Sequence, residues 1–341
     1  MNRIFFQKLT FLILGFITAF LISEWIVRTF QLSLTWSMKQ EEKRKQEIIR
    51  KYIDDYDAIG YRYLPHSTFL SVRDKTYHIN SLGFRDNSTA FIDTNTVKVS
   101  VIGDSVFEGF GVDETDRATS IFDSLATEIA VKNYCISGYS TLDALAVFEK
   151  HVIKTQPDYV LLQLCFNDFE HNYLLAYPTK TEQKATNSIN FKSLMQNHSA
   201  LYLFAAEKYS YYKLTKGISD NFISSISNIE QKELDVTFRL LIQFRDTCIK
   251  HGIVPVITYV PYQAETQIND TTKSLYFSTL LAEFCKKNSI EYINLTSALL
   301  QTNDKELYFD HCHLNEKGNE IVGVQLTIEF ENRLVTLSPR Y

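Results

Sequence analysis

The sequence VKVSVIGDSVFEG, residues 97–109, places an apolar, largely β-branched run directly before Gly103, Asp104 and Ser105. Such a run predicts a buried β-strand, and the residues after it can begin a helix. Open α/β sheets bind their ligands at the carboxyl ends of strands, where this serine would stand. A helix beginning here would direct backbone amides towards a developing negative charge. The stretch therefore predicts a nucleophile, provided that the chain supplies a base for Ser105.

Four further short apolar runs follow, and the stretches between them have helical spacing. The five predicted strands are Val97–Ile102, Ala130–Ile136, Asp158–Leu164, Ile253–Val260 and Ile290–Leu295. Strands that alternate with helices predict a parallel sheet covered by helices. The sequence therefore predicts an α/β fold.

The composition of the 341-residue chain is typical of a globular protein, with 45% hydrophobic and 22% charged residues. Its length suits one large domain with appendages, or two modest domains. A net charge of −5 and the absence of a basic stripe interleaved with aromatic residues argue against a nucleic-acid partner. Five cysteines without CxxC spacing predict no disulfide framework and leave the cellular compartment open.

The amino-terminal segment predicts a transmembrane helix within residues 1–30. Its uncharged core from Leu9 to Ser23 is shorter than the roughly 20 residues of a span, but flanking apolar residues lengthen it. A cleaved signal peptide and a buried core helix remain alternatives, although no small-x-small cleavage site follows Ala19. The positive charges before the span slightly favour a cytoplasmic amino terminus and therefore an extracytoplasmic catalytic domain.

Three regions are predicted after this anchor. Residues 31–95 are interpreted as a charged tether followed by an amino-terminal extension, and residues 96–335 as the α/β domain. A segment of about 173–233 breaks the alternation of strand and helix and is interpreted as an inserted helical and loop segment near the rim of the active site. The alternative is that its aromatic residues pack a helix onto the sheet. Glu24 and Arg28 stand four residues apart and are expected to pair at the end of the span.

Residues near the carboxyl end supply the base and the acid that Ser105 requires. Asp310 and His313 are three residues apart, so a turn can bring the carboxylate under one imidazole nitrogen. The other nitrogen would then face the serine hydroxyl, which is the arrangement of a serine hydrolase triad. His311 remains an alternative base, but the spacing from Asp310 favours His313 because adjacent side chains rarely face each other.

Two residues after the second and third predicted strands are candidate oxyanion donors. Gly138 lets a backbone N–H approach a tetrahedral oxyanion, and the side-chain amide of Asn167 can donate as well. Asp104 is expected to cap the helix at Ser105, and Asp168 to brace its loop. The pattern His-Cys-His at 311–313 has no matching pair of ligands, so no metal is predicted, and no cofactor is expected.

The order of these motifs, Gly-Asp-Ser, glycine, Asn-Asp and Asp-x-x-His, resembles that of the SGNH (GDSL-type) hydrolases over roughly residues 60–330. The resemblance implies a three-layer α/β/α sandwich with a five-stranded, mainly parallel, flavodoxin-like sheet. The upstream sequence NSLGFR at 80–85 and the amino-terminal helix resemble those of membrane-anchored bacterial members. Two departures are cysteines, Cys135 and Cys165, at places where the family has glycine, and these are expected to reshape the acyl pocket.

The resemblance also implies the role of each site residue. Ser105 matches the nucleophile and the first oxyanion donor, Gly138 the second donor and Asn167 the third. His313 matches the base and Asp310 its partner. The expected function is a serine esterase or deacylase acting on an acyl ester, with O-acetyl groups on glycans as one substrate. An O-acyltransferase with a polysaccharide acceptor and an inactive glycan-binding or scaffold protein are the alternatives, and the oligomeric state is not predicted.

Overall fold

The computed structural model describes residues 3–33, 35–37, 39–40, 43, 62–86, 96–176, 191–215, 229, 231–267, 274–302 and 306–337. These residues form two compact units. One unit draws on the described parts of Met1–Glu47 and Lys180–Asp220, and the other on those of Ile48–Thr179 and Asn221–Tyr341. The charge-dense stretch interpreted as a tether lies mostly outside the described residues.

The described residues contain seven strands and twelve α-helices. The strands are β1 (Thr68–Leu70), β2 (Thr76–His78), β3 (Val97–Ile102), β4 (Ile129–Asn133), β5 (Tyr159–Leu164), β6 (Val254–Tyr259) and β7 (Glu291–Ile293). The helices are α1 (Arg3–Thr29), α2 (Ser105–Glu108), α3 (Ala118–Leu125), α4 (Thr141–Val147), α5 (Asn167–Ala176), α6 (Phe191–His198), α7 (Ala200–Thr215), α8 (Gln231–Lys250), α9 (Gln263–Thr266), α10 (Tyr276–Lys287), α11 (Leu295–Gln301) and α12 (Glu316–Leu337).

The larger unit is built on a five-stranded parallel sheet with the order β4-β3-β5-β6-β7. The predicted α/β fold and its five strands are therefore confirmed. Because β3 lies between the strands that follow it in sequence, the connections leave it in opposite directions. This creates a topological switch point at the carboxyl end of β3, where α/β sheets bind ligands.

The second strand is shorter than predicted. The prediction extended it to Ile136, whereas β4 ends at Asn133. Beyond it, the N–H groups of Tyr134 and Ile136 still donate to the carbonyls of Val101 at 2.8 Å and Gly103 at 3.3 Å. The N–H of Cys135 instead donates to the side-chain Oδ1 of Asn133 at 2.8 Å. Residues 134–138 therefore form a loop at the same edge of the sheet as Ser105.

Helices cover both faces of the sheet, because neighbouring side chains of a strand point to opposite sides. Val99 and Val101 pack with α3, α11 and α12 on one face, while Ile102 packs with α4, α8 and α10 on the other. Phe122 of α3 contacts Phe330 of α12, with ring centroids 5.1 Å apart. The three-layer arrangement is thus held by two apolar cores.

The described part of the amino-terminal extension, residues 62–86, belongs to the larger unit. Strands β1 and β2 pair as a short antiparallel hairpin. Tyr77 and Phe84 are fully buried in the same core as Ile102 of the central sheet. Residues 62–86 therefore pack as part of the α/β domain.

The smaller unit contains α1, α6 and α7. Within the described residues, Phe5–Thr29 of α1 is long and apolar enough to cross a membrane, with a mean hydropathy of 2.0. Near its end, Glu24 Oε1 pairs with Arg28 Nε at 2.7 Å, as expected from their spacing. The Glu24 carboxylate also accepts the backbone N–H groups of Ala200 at 2.8 Å and Leu201 at 2.9 Å. It therefore caps the first turn of α7.

Candidate active site

The nucleophile candidate stands at a tight corner between β3 and α2. Ser105 is the first residue of α2, and Asp104 caps this helix by accepting the N–H of Val106 at 2.9 Å, as the sequence predicted. Gln163 of β5 accepts the N–H of Asp104 at 3.0 Å. A Cβ atom on Gly103 would lie 2.5 Å from Gln163 Oε1, so a larger residue here would displace the side chain that accepts the Asp104 N–H.

The structure brings Ser105, His313 and Asp310 into one chain of hydrogen bonds. His313 Nε2 lies 2.8 Å from Ser105 Oγ, and His313 Nδ1 lies 2.6 Å from Asp310 Oδ2. Asp310 Oδ1 accepts the backbone N–H groups of Cys312 at 2.9 Å and His313 at 2.6 Å. In a neutral imidazole with its proton on Nδ1, Nε2 is free to accept the serine proton.

The electrostatics of the acid match this geometry. Burial alone would raise the pKa of Asp310, but the neighbouring His313 imidazole and its hydrogen bonds outweigh burial and lower the pKa to about 2. Asp310 is therefore ionised at neutral pH and can stabilise an imidazolium. The alternative base, His311, is exposed, and its ring packs nearly at right angles to that of Tyr262, with centroids 5.5 Å apart.

Two phenylalanines fix the orientation of the His313 ring. The ring centroid of Phe110 lies 4.5 Å from that of His313, and Phe309 stacks on it at 5.7 Å with an interplanar angle of 15°. The guanidinium carbon of Arg73, from the extension, lies 5.0 Å above the Phe309 ring. These aromatic residues could not be identified from the sequence, because a lone phenylalanine beside a polar motif carries no distinguishing signal.

The oxyanion candidates follow the strands on either side of β3. Gly138 lies in the loop after β4 with φ of +84°, and Asn167 begins α5 after β5. Asn167 Oδ1 lies 2.5 Å from the thiol sulfur of Cys165. Because this contact occupies the amide oxygen, the amide nitrogen is left to serve as a donor.

Cys165 and two acidic residues form a buried cluster behind the nucleophile. The Cys165 sulfur lies 3.0 Å from Asp104 Oδ2, and Asp168 Oδ2 accepts the N–H of Cys165 at 2.9 Å. Asp168 Oδ1 accepts the hydroxyl of Thr141 at 2.9 Å, so this carboxyl braces its loop as expected. Burial and the nearby Asp104 charge raise the pKa of Asp168 to about 7.

Two groups in this region have the residue types of metal ligands, with their ligand atoms within 4.8 Å of one another. They are Asp104 with Cys165 and Asp168, and Asp310 with His311 and Cys312. Burial raises the pKa of both thiols well above the ordinary value, which disfavours the thiolate that binds metals. The described hydrogen bonds instead account for both groups as parts of the serine site.

A family model described as GDSL-like lipase/acylhydrolase matches residues 101–321. No curated protein matches the chain. Among solved structures, a lipase/acylhydrolase from Enterococcus faecalis is 14% identical with a TM-score of 0.42, covering 70% of this chain and 97% of that one. A G-D-S-L family lipolytic protein from Veillonella parvula is 12% identical with a TM-score of 0.41, covering 72% and 100%. The acetyl xylan esterase AlAXEase is 17% identical with a TM-score of 0.42, covering 68% and 99%.

Proposed function

Since the chain belongs to the GDSL-like lipase/acylhydrolase family, we propose that it is a serine esterase whose nucleophile, base and orienting acid are Ser105, His313 and Asp310. The observation that carries this proposal is the continuous hydrogen-bonded chain from Asp310 through His313 to Ser105. A serine becomes nucleophilic when a positioned base accepts its proton and a third group orients that base.

In the first half of the reaction, Ser105 Oγ attacks the ester carbonyl while His313 Nε2 takes the hydroxyl proton. Asp310 stabilises the imidazolium that forms. The oxyanion accepts hydrogen bonds from the N–H groups of Ser105 and Gly138 and from the Asn167 amide. The tetrahedral intermediate then collapses, and the imidazolium returns its proton to the departing alcohol.

In the second half, His313 removes a proton from water, which attacks the acyl group on Ser105. The serine–acyl bond breaks, the serine oxygen recovers a proton from His313, and the carboxylic acid leaves. An alcohol in place of this water would make the same acyl-enzyme an O-acyltransferase. We choose hydrolysis because it needs no further acceptor site.

The proposed substrates are small acyl esters, with O-acetyl groups on extracytoplasmic glycans as the first class to test. The position of Cys165 supports a short acyl group. Its sulfur contacts the Asn167 side chain and takes up room beside that proposed donor. Because the Cys165 side chain is buried, we propose that it limits the acyl group through the position in which it holds the Asn167 amide.

We also propose that α1 is an uncleaved anchor, with residues 31–95 as tether and extension and 96–335 as an extracytoplasmic hydrolase domain that carries the 173–233 insert. The burial of Glu24 and Val27 supports retention of α1. Ser199 donates its hydroxyl to Glu24 at 2.8 Å, so cleavage after the span would remove a partner of the insert.

The test uses the full chain in detergent micelles. We expect hydrolysis of p-nitrophenyl esters, fastest for acetyl, and labelling of Ser105 by a fluorophosphonate. Ser105→Ala and His313→Gln should each lower kcat on the order of 10⁴-fold or more. Ser124→Ala, at an exposed serine on α3, is the matched control and should retain full activity.

The outcomes distinguish the alternatives. Turnover that rises when a polysaccharide alcohol is added, with transfer exceeding hydrolysis, would identify an acyltransferase. A folded parent protein that neither hydrolyses these esters nor reacts with the fluorophosphonate would contradict the esterase proposal. Glycan binding that persists in Ser105→Ala of such a protein would then favour the scaffold.

A further inference from the structure

The helix that carries the nucleophile candidate cannot hold its own position. Helix α2 has four residues, Ser105–Glu108, and a single turn is unstable in isolation. Its last carbonyl groups need partners outside the helix. Asn133 provides the partner of the Phe107 carbonyl, and the extension, residues 62–86, provides that of the Glu108 carbonyl. The extension lies before the stretch 101–321 that matches the family model.

Arg85 binds the last carbonyl of α2 and two carbonyls of the turn that follows it. This side chain is completely buried, and its guanidinium donates to the carbonyls of Glu108 at 3.1 Å, Gly109 at 2.6 Å and Val112 at 2.8 Å. Its guanidinium carbon lies 3.7 Å from the centroid of the Tyr77 ring. A buried cation at the carboxyl end of a helix is a strong, charge-assisted donor to carbonyl groups.

Two further residues of the extension hold the turn after α2. The Tyr77 hydroxyl donates to the carbonyl of Gly109 at 3.3 Å and accepts the N–H of Gly111 at 3.2 Å. Arg73 donates to the carbonyl of Gly111 at 2.9 Å. The backbone from the end of α2 onwards is thus held by side chains that precede β3.

Glu108 connects this arrangement to the proposed oxyanion loop. Its carboxyl group is completely buried and accepts the hydroxyl of Tyr63 at 2.5 Å and the hydroxyl of Ser137. Ser137 directly precedes Gly138. Asn133 adds a second link, since its side-chain N–H donates to the carbonyl of Phe107 at 2.7 Å. The nucleophile helix and the Gly138 loop are therefore joined through Glu108.

We propose that residues 62–86 are a positioning element of the active site, and that they hold the Gly138 loop against the nucleophile helix through Glu108. This inference rests on the proposed function, in which Gly138 donates to the oxyanion. An error of about 1 Å in such a donor can cost on the order of 100-fold in rate. Tyr63 and Glu108 act through other residues and touch no reacting atom.

The experiment uses three variants of the full chain that remove one link each: Tyr63→Phe, Glu108→Gln and Ser137→Ala. The matched control is Tyr292→Phe on the edge strand β7. It removes a hydroxyl that lies 3.0 Å from Ser278 Oγ of α10. The measurements are kcat and KM for a p-nitrophenyl ester, the melting temperature, and amide exchange of a peptide covering residues 134–139.

We expect Tyr63→Phe and Ser137→Ala to lower kcat about 10-fold, and Glu108→Gln between 10- and 100-fold, with KM changed less than about twofold. Amide exchange over 134–139 should accelerate in all three variants. This readout matters most for Tyr63→Phe, because Tyr63 reaches the loop through Glu108. Tyr292→Phe should change neither kcat nor exchange in this peptide, whatever its melting temperature.

The two proposals fail in different ways. If Ser105→Ala abolishes activity but folded Tyr63→Phe and Ser137→Ala keep the kcat of Tyr292→Phe, the positioning role is wrong and the esterase stands. If the parent protein is not an esterase, the amide exchange of residues 134–139 is the measurement that tests the positioning of the Gly138 loop. Exchange equal to that of the control would then overturn the positioning of the loop.

Discussion

The extension and the insert are both additions to the α/β domain, but they make different kinds of contact. The extension, residues 62–86, reaches the nucleophile helix through completely buried polar side chains such as Arg85. The helices of the insert, residues 191–215, pack with the end of α1 through Glu24. The family match spans the insert and leaves out the extension. A segment that lies inside the family match is therefore not necessarily the one that contacts the candidate active site.

This difference has an energetic consequence. Removing the partner of a buried polar group lowers the free energy of unfolding by more than the net contribution of the hydrogen bond, because the remaining group stays desolvated. Changes in the extension should therefore affect the stability of the hydrolase domain and its catalysis together. Changes around Glu24 should affect the insert and leave ester hydrolysis intact.

The largest effect is expected for Arg85→Met. It leaves the carbonyls of Glu108, Gly109 and Val112 without their buried donor, and should cost about 3–5 kcal/mol in the free energy of unfolding. Chemical denaturation of the full chain measures it. Arg333→Met, which breaks partly exposed pairs with Glu329 of α12 and Glu291 of β7, is the control and should cost about 1 kcal/mol or less. Equal losses would remove the distinction between the extension and an ordinary surface.

A pH titration of stability tests the electrostatics of Asp310 in the candidate site. The Asp310 pKa falls from 3.8 to about 2 on folding, so its contribution to stability is complete above about pH 4 and is lost as the pH falls towards 2. At about 1.4 kcal/mol for each pKa unit, the loss is roughly 2 kcal/mol. Asp310→Asn should flatten this part of the stability curve, followed by denaturation at each pH. An unchanged slope would show that other carboxyl groups dominate it.

Glu24→Ala tests the insert. It removes the acceptor of two backbone N–H groups at the start of α7 and should cost about 1–3 kcal/mol locally. Amide exchange over residues 199–207 should accelerate, while kcat for a soluble ester stays unchanged. Gln325→Ala, which changes a half-buried side chain on α12, is the control. A fall in kcat would show that the insert acts on the site after all.

The smallest effect is expected for Arg28→Lys. Lysine keeps a positive charge beside Glu24 but loses the guanidinium that lies 4.4 Å from the centroid of the Trp36 ring, at a cost of about 0.5–1 kcal/mol. The chain has two tryptophans, Trp25 and Trp36, and both belong to the smaller unit. Tryptophan emission therefore reports on this unit and should shift in the variant. Unchanged tryptophan emission would show that the contact between Arg28 and Trp36 has no measurable effect on the smaller unit.

The sequence predicts the elements that depend on local pattern. The strands follow from short apolar runs, and the pairing of Glu24 with Arg28 follows from helical spacing. Whether Ser105, His313 and Asp310 act as a triad stays a prediction until activity is measured, although the structure brings them into contact.

The contacts of the extension could not be predicted in this way. Glu108 looks like an ordinary polar residue at a helix end, but its partners lie 45 residues before it and 29 after it. Side chains that bond to distant groups follow no period in the sequence. The resemblance drew attention to the segment that ends at Arg85 without indicating what it contacts. The end of β4 was missed because the apolar run continues to Ile136, past Asn133, where the strand ends.

The positions of the site residues along the chain also determine the order in which they are synthesised. Every link from Tyr63 and Arg85 to the nucleophile helix and the Gly138 loop falls within residues 62–138. The base comes 208 residues after the serine. The links within residues 62–138 can be synthesised early, but the corner around Ser105 also uses Gln163 of β5, and a domain generally folds as a unit. The proposed triad is complete only once the chain reaches His313, so a shorter chain lacks the base that would activate Ser105.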